Sequence, residues 1–351
     1  MKESEKYVLI TGGAGFIGSN FIRHLYESDP TLRIVNFDIL SYAGNLENLE
    51  DIKKKEQSKP EDERRYFFVQ GDICSREMLE KLFSQFSFEK VIHFAAESHV
   101  DRSIFSDSDF IRTNVEGTRM LVEFVRKHAV PRFVHISTDE VYGSIPQGTA
   151  HEDSQMRPSN PYAASKAAAD LLIQSYMKTF RLPAVIVRGS NNYGTYQYPE
   201  KLIPLAITNL IEEKHVPIHG DGGHARSWLH VSDFCRAIDL VSKKASLFSI
   251  YNVSGEEFKN IDVLKIIARH LNKDLGRHTA HITDRPGADF RYAPSSDRLE
   301  SELGWKRKYR FEEAIPEIID WYTENDKWWK NIRTKKGFLD HYERQSTGQW
   351  C

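Results

Sequence analysis

Residues 7–18, Tyr7-Val8-Leu9-Ile10-Thr11-Gly12-Gly13-Ala14-Gly15-Phe16-Ile17-Gly18, decide the fold. An apolar run enters a glycine-rich turn without a polar interruption, and a helical pattern follows through Leu25. Such a continuous apolar strand predicts burial on both faces, as in parallel sheets. Gly12, Gly15 and Gly18 permit a tight strand-to-helix turn, close approach of backbone to a pyrophosphate, and close helix–strand packing. The helix N-terminus adds free N–H groups and positive potential. Asp38 ends the next apolar run, where a carboxylate can accept both ribose hydroxyls and repel a 2′-phosphate. Ile39, Leu40 and Ser41 follow it with no arginine among them, so the pattern favours NAD over NADP.

Working outward, strand-like runs at 7–10, 33–37, 66–70, 90–95, 132–137 and 184–188 alternate with amphipathic helical stretches. This rhythm predicts an α/β fold, a Rossmann-type doubly wound parallel sheet with a smaller C-terminal α/β substrate lobe. Beyond about residue 195 the rhythm changes, with Pro and Gly clusters at 216–223 and 284–287. We therefore expect an NAD-binding domain carrying the catalytic residues over 1–195 and a mainly substrate-binding lobe over 196–351. Segments at about 226–255 are expected to return to the first domain. A ligand is expected at the carboxyl ends of the strands. There, Asp72 and Ile73 can meet an adenine, and the small residues of Phe94-Ala95-Ala96-Glu97-Ser98 let a dinucleotide lie against backbone.

Composition narrows the function class. With 40% hydrophobic and 28% charged residues and a net charge of −2, the chain reads as an ordinary globular protein without general attraction to polyanions. No basic stripe interleaved with aromatics suggests nucleic acid, and no apolar run is long enough for a bilayer. The charged start leading straight into a strand gives no secretory signal, so a cytoplasmic location is expected. Cys74, Cys235 and Cys351 lack zinc or redox spacing and are read as ordinary thiols. No metal site is expected.

The chemistry is carried by two further segments. Tyr162-Ala163-Ala164-Ser165-Lys166 opens a helix after Asn160-Pro161, and its spacing puts phenol and ammonium on one face. The ammonium is expected to lie beside the phenol and lower its pKa, giving a base for a hydroxyl proton as hydride leaves the same carbon. Ser137-Thr138-Asp139-Glu140-Val141-Tyr142-Gly143 follows the fifth strand. A hydroxyl followed by two carboxylates exceeds what simple dehydrogenation needs and implies an added acid/base step.

The motifs GGAGFIG, HFAAESHVDRSI, STDEVYG, YAASK, SNNYG and YPEKLIPL, in this order, resemble those of dTDP-glucose 4,6-dehydratases, members of the extended short-chain dehydrogenase/reductase superfamily. The resemblance runs from about residue 7 to WYTENDKWWK, essentially the whole chain. It implies bound NAD and a homodimer formed through two long helices, expected at 104–128 and 162–180. It places Phe16, Ile17, Asp38, Asp72, Ile73, Phe94 to Ser98, Thr113, Tyr162, Lys166 and Asn192 around NAD, beside the turn glycines and Ile39 to Ser41. It places Ser98, Thr138, Asn191, Glu200, Lys201, Leu202, Pro217, His219, Arg226, Asn260 and Arg285 near a sugar nucleotide. In the implied chemistry Tyr162 removes the C4 hydroxyl proton as NAD takes hydride, and Thr138 holds that oxygen. Glu140 then removes the C5 proton, Asp139 protonates the departing C6 hydroxyl, and hydride returns to C6.

Four positions depart from the family pattern: Ala288 in place of a histidine, Ser227 in place of an aspartate, Ile39 in place of a common lysine, and Gly189 in place of a common cysteine. They bear on substrate affinity and nucleotide choice. A UDP- or GDP-sugar dehydratase or epimerase remains open at this stage, although an epimerase needs no adjacent Asp-Glu pair. So does a catalytically silent dinucleotide-binding regulator, because fold alone does not prove function.

Overall fold

The computed structural model describes residues 6–348 and 350; Cys351, read above as a thiol, lies outside them. Twelve strands are present among these residues: β1 (Lys6–Thr11), β2 (Ile34–Asp38), β3 (Tyr66–Gln70), β4 (Ser87–His93), β5 (Phe133–Thr138), β6 (Ala184–Gly189), β7 (Asn191–Tyr193), β8 (Val216–His219), β9 (Ala225–His230), β10 (Ile250–Val253), β11 (Glu256–Lys259) and β12 (Thr279–Ile282). A seven-stranded sheet has the order β10-β6-β5-β4-β1-β2-β3, and all its neighbours pair in parallel. All six apolar runs read from the sequence are strands of this sheet.

The sheet is a Rossmann-type doubly wound sheet, with apolar cores on both faces. On one face Val8, Ile10, Phe21, Ile22 and Leu25 pack with Val134, Phe234 and Ile238. On the other, Leu9, Val35, Leu79, Leu121 and Ile173 pack with Phe133 and Ile186. The strand order reverses between β1 and β4, and the glycine turn after β1 opens at this switch point. Gly18 belongs here for a packing reason. A Cβ on it would stand 2.3 Å from the Gly12 carbonyl oxygen and 2.8 Å from Gly13 Cα, so only glycine lets the helix Phe16–Ser28 lie this close to the turn.

The later chain builds a third core. A three-stranded sheet of order β11-β9-β7 and a parallel β12-β8 pair surround Ile207, Ile218, Trp228, Ile267, Phe311 and Trp329. β10 re-enters the large sheet beside β6. The sequence predicts short strands between helices in this part of the chain but not their individual positions or pairing, because each is only three to six residues long and lacks a distinct period.

The helix expected over 104–128 is not one helix. Residues Val100–Phe105 form a short helix, Ser106 is extended at φ −157° and ψ 119°, and helical structure resumes at Ser108. Over Ile111–Gly117 the turns widen to a π-helix before the α-helix Thr118–Lys127. Widened turns of this kind often occur at functional sites, and here Arg112 and Thr113 line the cavity at the sheet mouth. The second expected helix is continuous over Pro161–Phe180, with Asn160 accepting from the Ala163 N–H as its cap.

Replacing Gly18 with alanine should lower folding stability by about 1–3 kcal/mol through backbone overpacking. Denaturant unfolding of Gly18→Ala against the parent chain measures this directly.

Candidate active site

A cavity of about 470 Å³ runs along the carboxyl ends of the strands of the large sheet. Its lining includes Gly12, Gly15 and Gly18 from the first turn, Asp38, Ile39 and Ser41 after β2, Asp72 and Ile73 after β3, and residues 94–98 after β4. Ser137 to Glu140, Tyr162, Lys166, Asn191, Asn192, Glu200 and Lys201 complete the other end. One fold feature, the alignment of parallel strand ends, thus collects groups far apart in sequence.

At the dinucleotide end, Asp38 is buried, and its oxygens accept from the Ala14 N–H at 2.9 Å and the Leu40 N–H at 2.8 Å. Burial raises its pKa despite these bonds. Each oxygen keeps a second acceptor site, which suits a pair of ribose hydroxyls. Leu40 has φ +61° and does not line the cavity; its backbone, not its side chain, serves the site. Asp72 accepts from the Cys74 N–H at 2.8 Å and pairs with Arg112, so it caps a turn as well as lining the cavity. Among the described residues, Ser137, Ser190, Asn191 and Asn192 have buried side-chain oxygens without hydrogen-bond partners, and all four line this cavity. Acceptors and hydroxyls stranded in this way fit a hydroxyl-rich cofactor such as a dinucleotide.

Thr138 closes β5, and Asp139 and Glu140 follow on a single 3₁₀ turn whose Glu140 N–H is capped by the Thr138 hydroxyl at 3.2 Å. The capping function and the chemical position coexist. Asp139 is 2% exposed, and burial with Glu140 alongside pushes its carboxyl well above the ordinary range, against the pull of Arg226. Glu140 accepts from the Tyr292 hydroxyl at 3.2 Å, and the same hydroxyl lies 2.7 Å from Asp289. One carboxyl is therefore biased toward its protonated form beside another that accepts from Tyr292.

The expected lowering of the Tyr162 pKa is overturned. Lys166 points its Nζ to the Ile136 carbonyl oxygen at 2.7 Å. Burial first and Glu140 second raise the phenol pKa, while the Thr138 hydroxyl acts in the opposite sense. Burial also brings Lys166 down to about 8. Helix spacing placed both groups on one face, but the carbonyl of β5 captured the ammonium.

The residues read as substrate-side divide. Ser98, Thr138, Asn191, Glu200 and Lys201 line the cavity, whereas Leu202, Pro217, His219, Arg226, Asn260 and Arg285 stand outside its lining. Arg226 is buried, lies 4.3 Å over the Tyr292 ring, and donates to the Ala225 and Asp289 carbonyls at 2.8 Å each. Arg285 is paired with Asp101 at 2.8 Å. Glu200 is buried and accepts from Arg102 at 2.9 Å, while Lys201 donates to the Ser98 carbonyl at 2.8 Å. Ligand atoms of His99, Glu200 and His341 lie within 4.8 Å of one another, but Glu200 already answers Arg102, and Lys201 adds further positive charge. That electrostatic setting opposes another cation. Tyr42, Gln197, Tyr198 and Tyr292 were missed, since a lone tyrosine or glutamine carries no motif.

Of the departures, Gly189 has a local cause: a Cβ there would sit 2.5 Å from Phe234 Cζ. Ser227 bonds Ser254 at 2.8 Å and accepts from the Gly255 N–H at 2.8 Å, fastening β9 to the following turn. Ile39 is 45% exposed on the cavity rim.

The GDP-mannose 4,6 dehydratase family profile matches residues 9–318. A dTDP-glucose 4,6-dehydratase from Streptomyces niveus is 42% identical over 334 residues, covering 93% of this chain and 96% of that protein. This chain belongs to the dTDP-glucose 4,6-dehydratase family. Among solved structures, a dTDP-glucose 4,6-dehydratase from Bacillus anthracis in complex with NAD superposes with a TM-score of 0.85 at 42% identity, covering 93% of this chain and 100% of that one. The Streptomyces venezuelae dTDP-glucose 4,6-dehydratase with NAD and dTDP bound gives a TM-score of 0.87 at 41% identity, covering 93% and 99%. Against this family background, the Asp139-Glu140 pair and Tyr162 stand together at one end of the cavity.

Tyr292→Phe removes the hydroxyl between Glu140 and Asp289. Steady-state kinetics should show kcat lower by roughly ten- to a hundredfold, the scale of one hydrogen bond to a charged group, with KM little changed.

Proposed function

We propose that this chain is an NAD-dependent hydro-lyase that converts dTDP-glucose to dTDP-4-keto-6-deoxyglucose. The observation that carries this reading is the buried Asp139-Glu140 pair in the same cavity as Thr138 and Tyr162. A simple dehydrogenase or a 4-epimerase has no use for a second acid and base at that place.

NAD, when bound, supplies a positive nicotinamide ring that accepts hydride from C4 and gives it back at C6. The chain's own groups do the proton work. Tyr162 takes the C4 hydroxyl proton; its resting phenol is protonated, and the positive charge of a bound nicotinamide would favour the base form. Thr138 holds the C4 oxygen. The ketone acidifies C5–H, Glu140 removes that proton, and Asp139 delivers its own proton to the departing C6 hydroxyl. As hydride reaches C6, Glu140 returns a proton to C5. Loss of the Tyr162 proton and regain of one by Asp139 through solvent close the cycle. The glycine turn, Asp38 to Ser41, Asp72, Ile73, residues 94–98, Thr113 and Asn192 serve the dinucleotide. Glu200, Lys201, Arg226, Asn260 and Arg285, with Leu202, Pro217 and His219 behind them, serve the sugar nucleotide. Arg226 and Arg285 answer its diphosphate, since guanidinium donors suit such anions. In this reading the chain divides at about residue 195 into cofactor and substrate parts, with β10 returning to the first.

The protein is further proposed to work in the cytoplasm as a homodimer. Among the described residues no helix is long and apolar enough to cross a membrane. Ile111 and Leu171, on the two segments expected at the dimer interface, are 50% and 56% exposed.

Incubation with dTDP-glucose, UDP-glucose, UDP-N-acetylglucosamine and GDP-mannose, followed by mass spectrometry, tests the substrate; dTDP-glucose should lose water fastest. Glu140→Gln and Asp139→Asn should still oxidise C4 in a single turnover, seen as reduced-nicotinamide absorbance, while product formation falls by roughly 10²–10⁴-fold. Normal dehydration by Glu140→Gln would reduce the carboxylate pair to a turn cap. Leu171→Asp should shift the protein from dimer to monomer in light scattering; an unchanged mass would remove the Pro161–Phe180 helix from the interface.

A further inference from the structure

The last described residues reach back across the molecule. The helix Lys336–Thr347 buries Phe338, His341 and Gln345 along one face. Phe338 joins the apolar core of the lobe, which accounts for one turn. Gln345 has no such apolar reason to be inside. A buried amide is costly unless its bonds are made, and its Nε2 donates to Asp101 Oδ2 at 2.9 Å.

Asp101 is 1% exposed and sits on the short helix Val100–Phe105, just after the cavity-lining Ser98. Two residues further on, Ser103 Oγ accepts from the Tyr162 N–H at 3.2 Å. The other oxygen of Asp101 holds Arg285 at 2.8 Å. Gln345 therefore fixes one side of a carboxylate whose other side orients the guanidinium proposed to meet the diphosphate.

Trp350 fastens the same strap a second time. Its indole N–H donates to the Thr283 carbonyl at 3.1 Å, two residues before Arg285. Its ring stacks on Phe105, with centroids 5.8 Å apart at 17°, and lies 5.4 Å from His219. The strap at 283–285 is thus tied at both ends by the C-terminal segment, and to the same short helix.

We infer that residues 336–348 and Trp350 form a positioning clasp: through Gln345–Asp101 and Trp350–Thr283 they hold Arg285 ready for the anionic diphosphate of the substrate. The inference rests on the nucleotide-sugar reading above. Gln345 and Trp350 are positioning residues, acting through Arg285 rather than touching the reacting atoms. A preset cation binds more tightly because less freedom is lost on binding, so the clasp affects ground-state binding more than the chemical step.

The test uses the full chain with NAD bound. Gln345→Leu keeps bulk but cannot donate, Gln345→Glu faces Asp101 with a second carboxylate, and Trp350→Ala unties the strap independently. Calorimetric titration with dTDP, UDP and inorganic pyrophosphate, together with steady-state kinetics, should show Kd and KM raised about tenfold in Gln345→Leu and Trp350→Ala and more in Gln345→Glu. The kcat should stay within about twofold, the pattern of lost uniform binding. Melting temperature and NAD content identify variants that merely fold poorly, and binding is then compared per folded, NAD-loaded site. Folded variants that bind these diphosphates as the parent does would overturn the clasp while leaving the functional reading intact. If the parent binds UDP but not dTDP, the nucleobase assignment fails, and the same parent-to-variant ratio measured with UDP decides the clasp. A parent chain that binds none of the three would sink both.

Discussion

Desolvation of charge at the mouth of the parallel sheet is the constraint on which the rest of the site depends. Asp139 and Glu140 are adjacent in sequence and both buried, so their two negative charges cannot share that space without help. The structure answers by raising the Asp139 pKa through burial and by giving Glu140 a donor from Tyr292. Arg226 contributes a compensating cation, itself supported by carbonyls and by the Tyr292 ring. An elimination requires one group to take a proton and one to give it, and the burial that raises the Asp139 pKa suits that carboxyl to the giving role.

The same constraint reaches the later part of the chain. Strand ends supply one wall of the cavity, and behind the carboxylate pair Tyr292 reaches Glu140 and Asp289 while Arg226 donates to the Asp289 carbonyl. Behind these, buried ion pairs recur: Arg285 with Asp101, and Arg102 with Glu200. Burial works against each charge, yet Arg285 holds Asp101 well below the usual carboxylate range. Breaking one member of such a pair would leave a buried charge uncompensated. These contacts join the cofactor side to the lobe, so the geometry of the cleft and the stability of the lobe are linked.

Much of this was legible in the sequence, and the reason is local. Continuous apolar runs gave the strands of the large sheet because a strand buried on both faces must be apolar throughout. The glycine turn and Asp38 were readable because backbone approach to a pyrophosphate tolerates few side chains at fixed offsets. Thr138, Asp139, Glu140, Tyr162 and Lys166 stood out because their side-chain chemistry exceeds what a turn or a helix face needs. The interruption at Ser106 went unread although Ser106-Asp107-Ser108-Asp109 is a run of turn and cap residues, and the widened turn over Ile111–Gly117 has no spacing of its own that marks it.

Sequence by itself determined the parallel sheet, the cofactor turn and the acid–base inventory, because each is set by residues near one another along the chain. Tertiary structure alone decided how those groups are charged and held. It sent Lys166 to the Ile136 carbonyl rather than to the phenol, and burial and the Glu140 charge raised the Tyr162 pKa. It brought Tyr292 to Glu140 from 152 positions away and Gln345 to Asp101 from 244. Desolvation and long-range contact depend on what surrounds a side chain in space, and no local spacing encodes that.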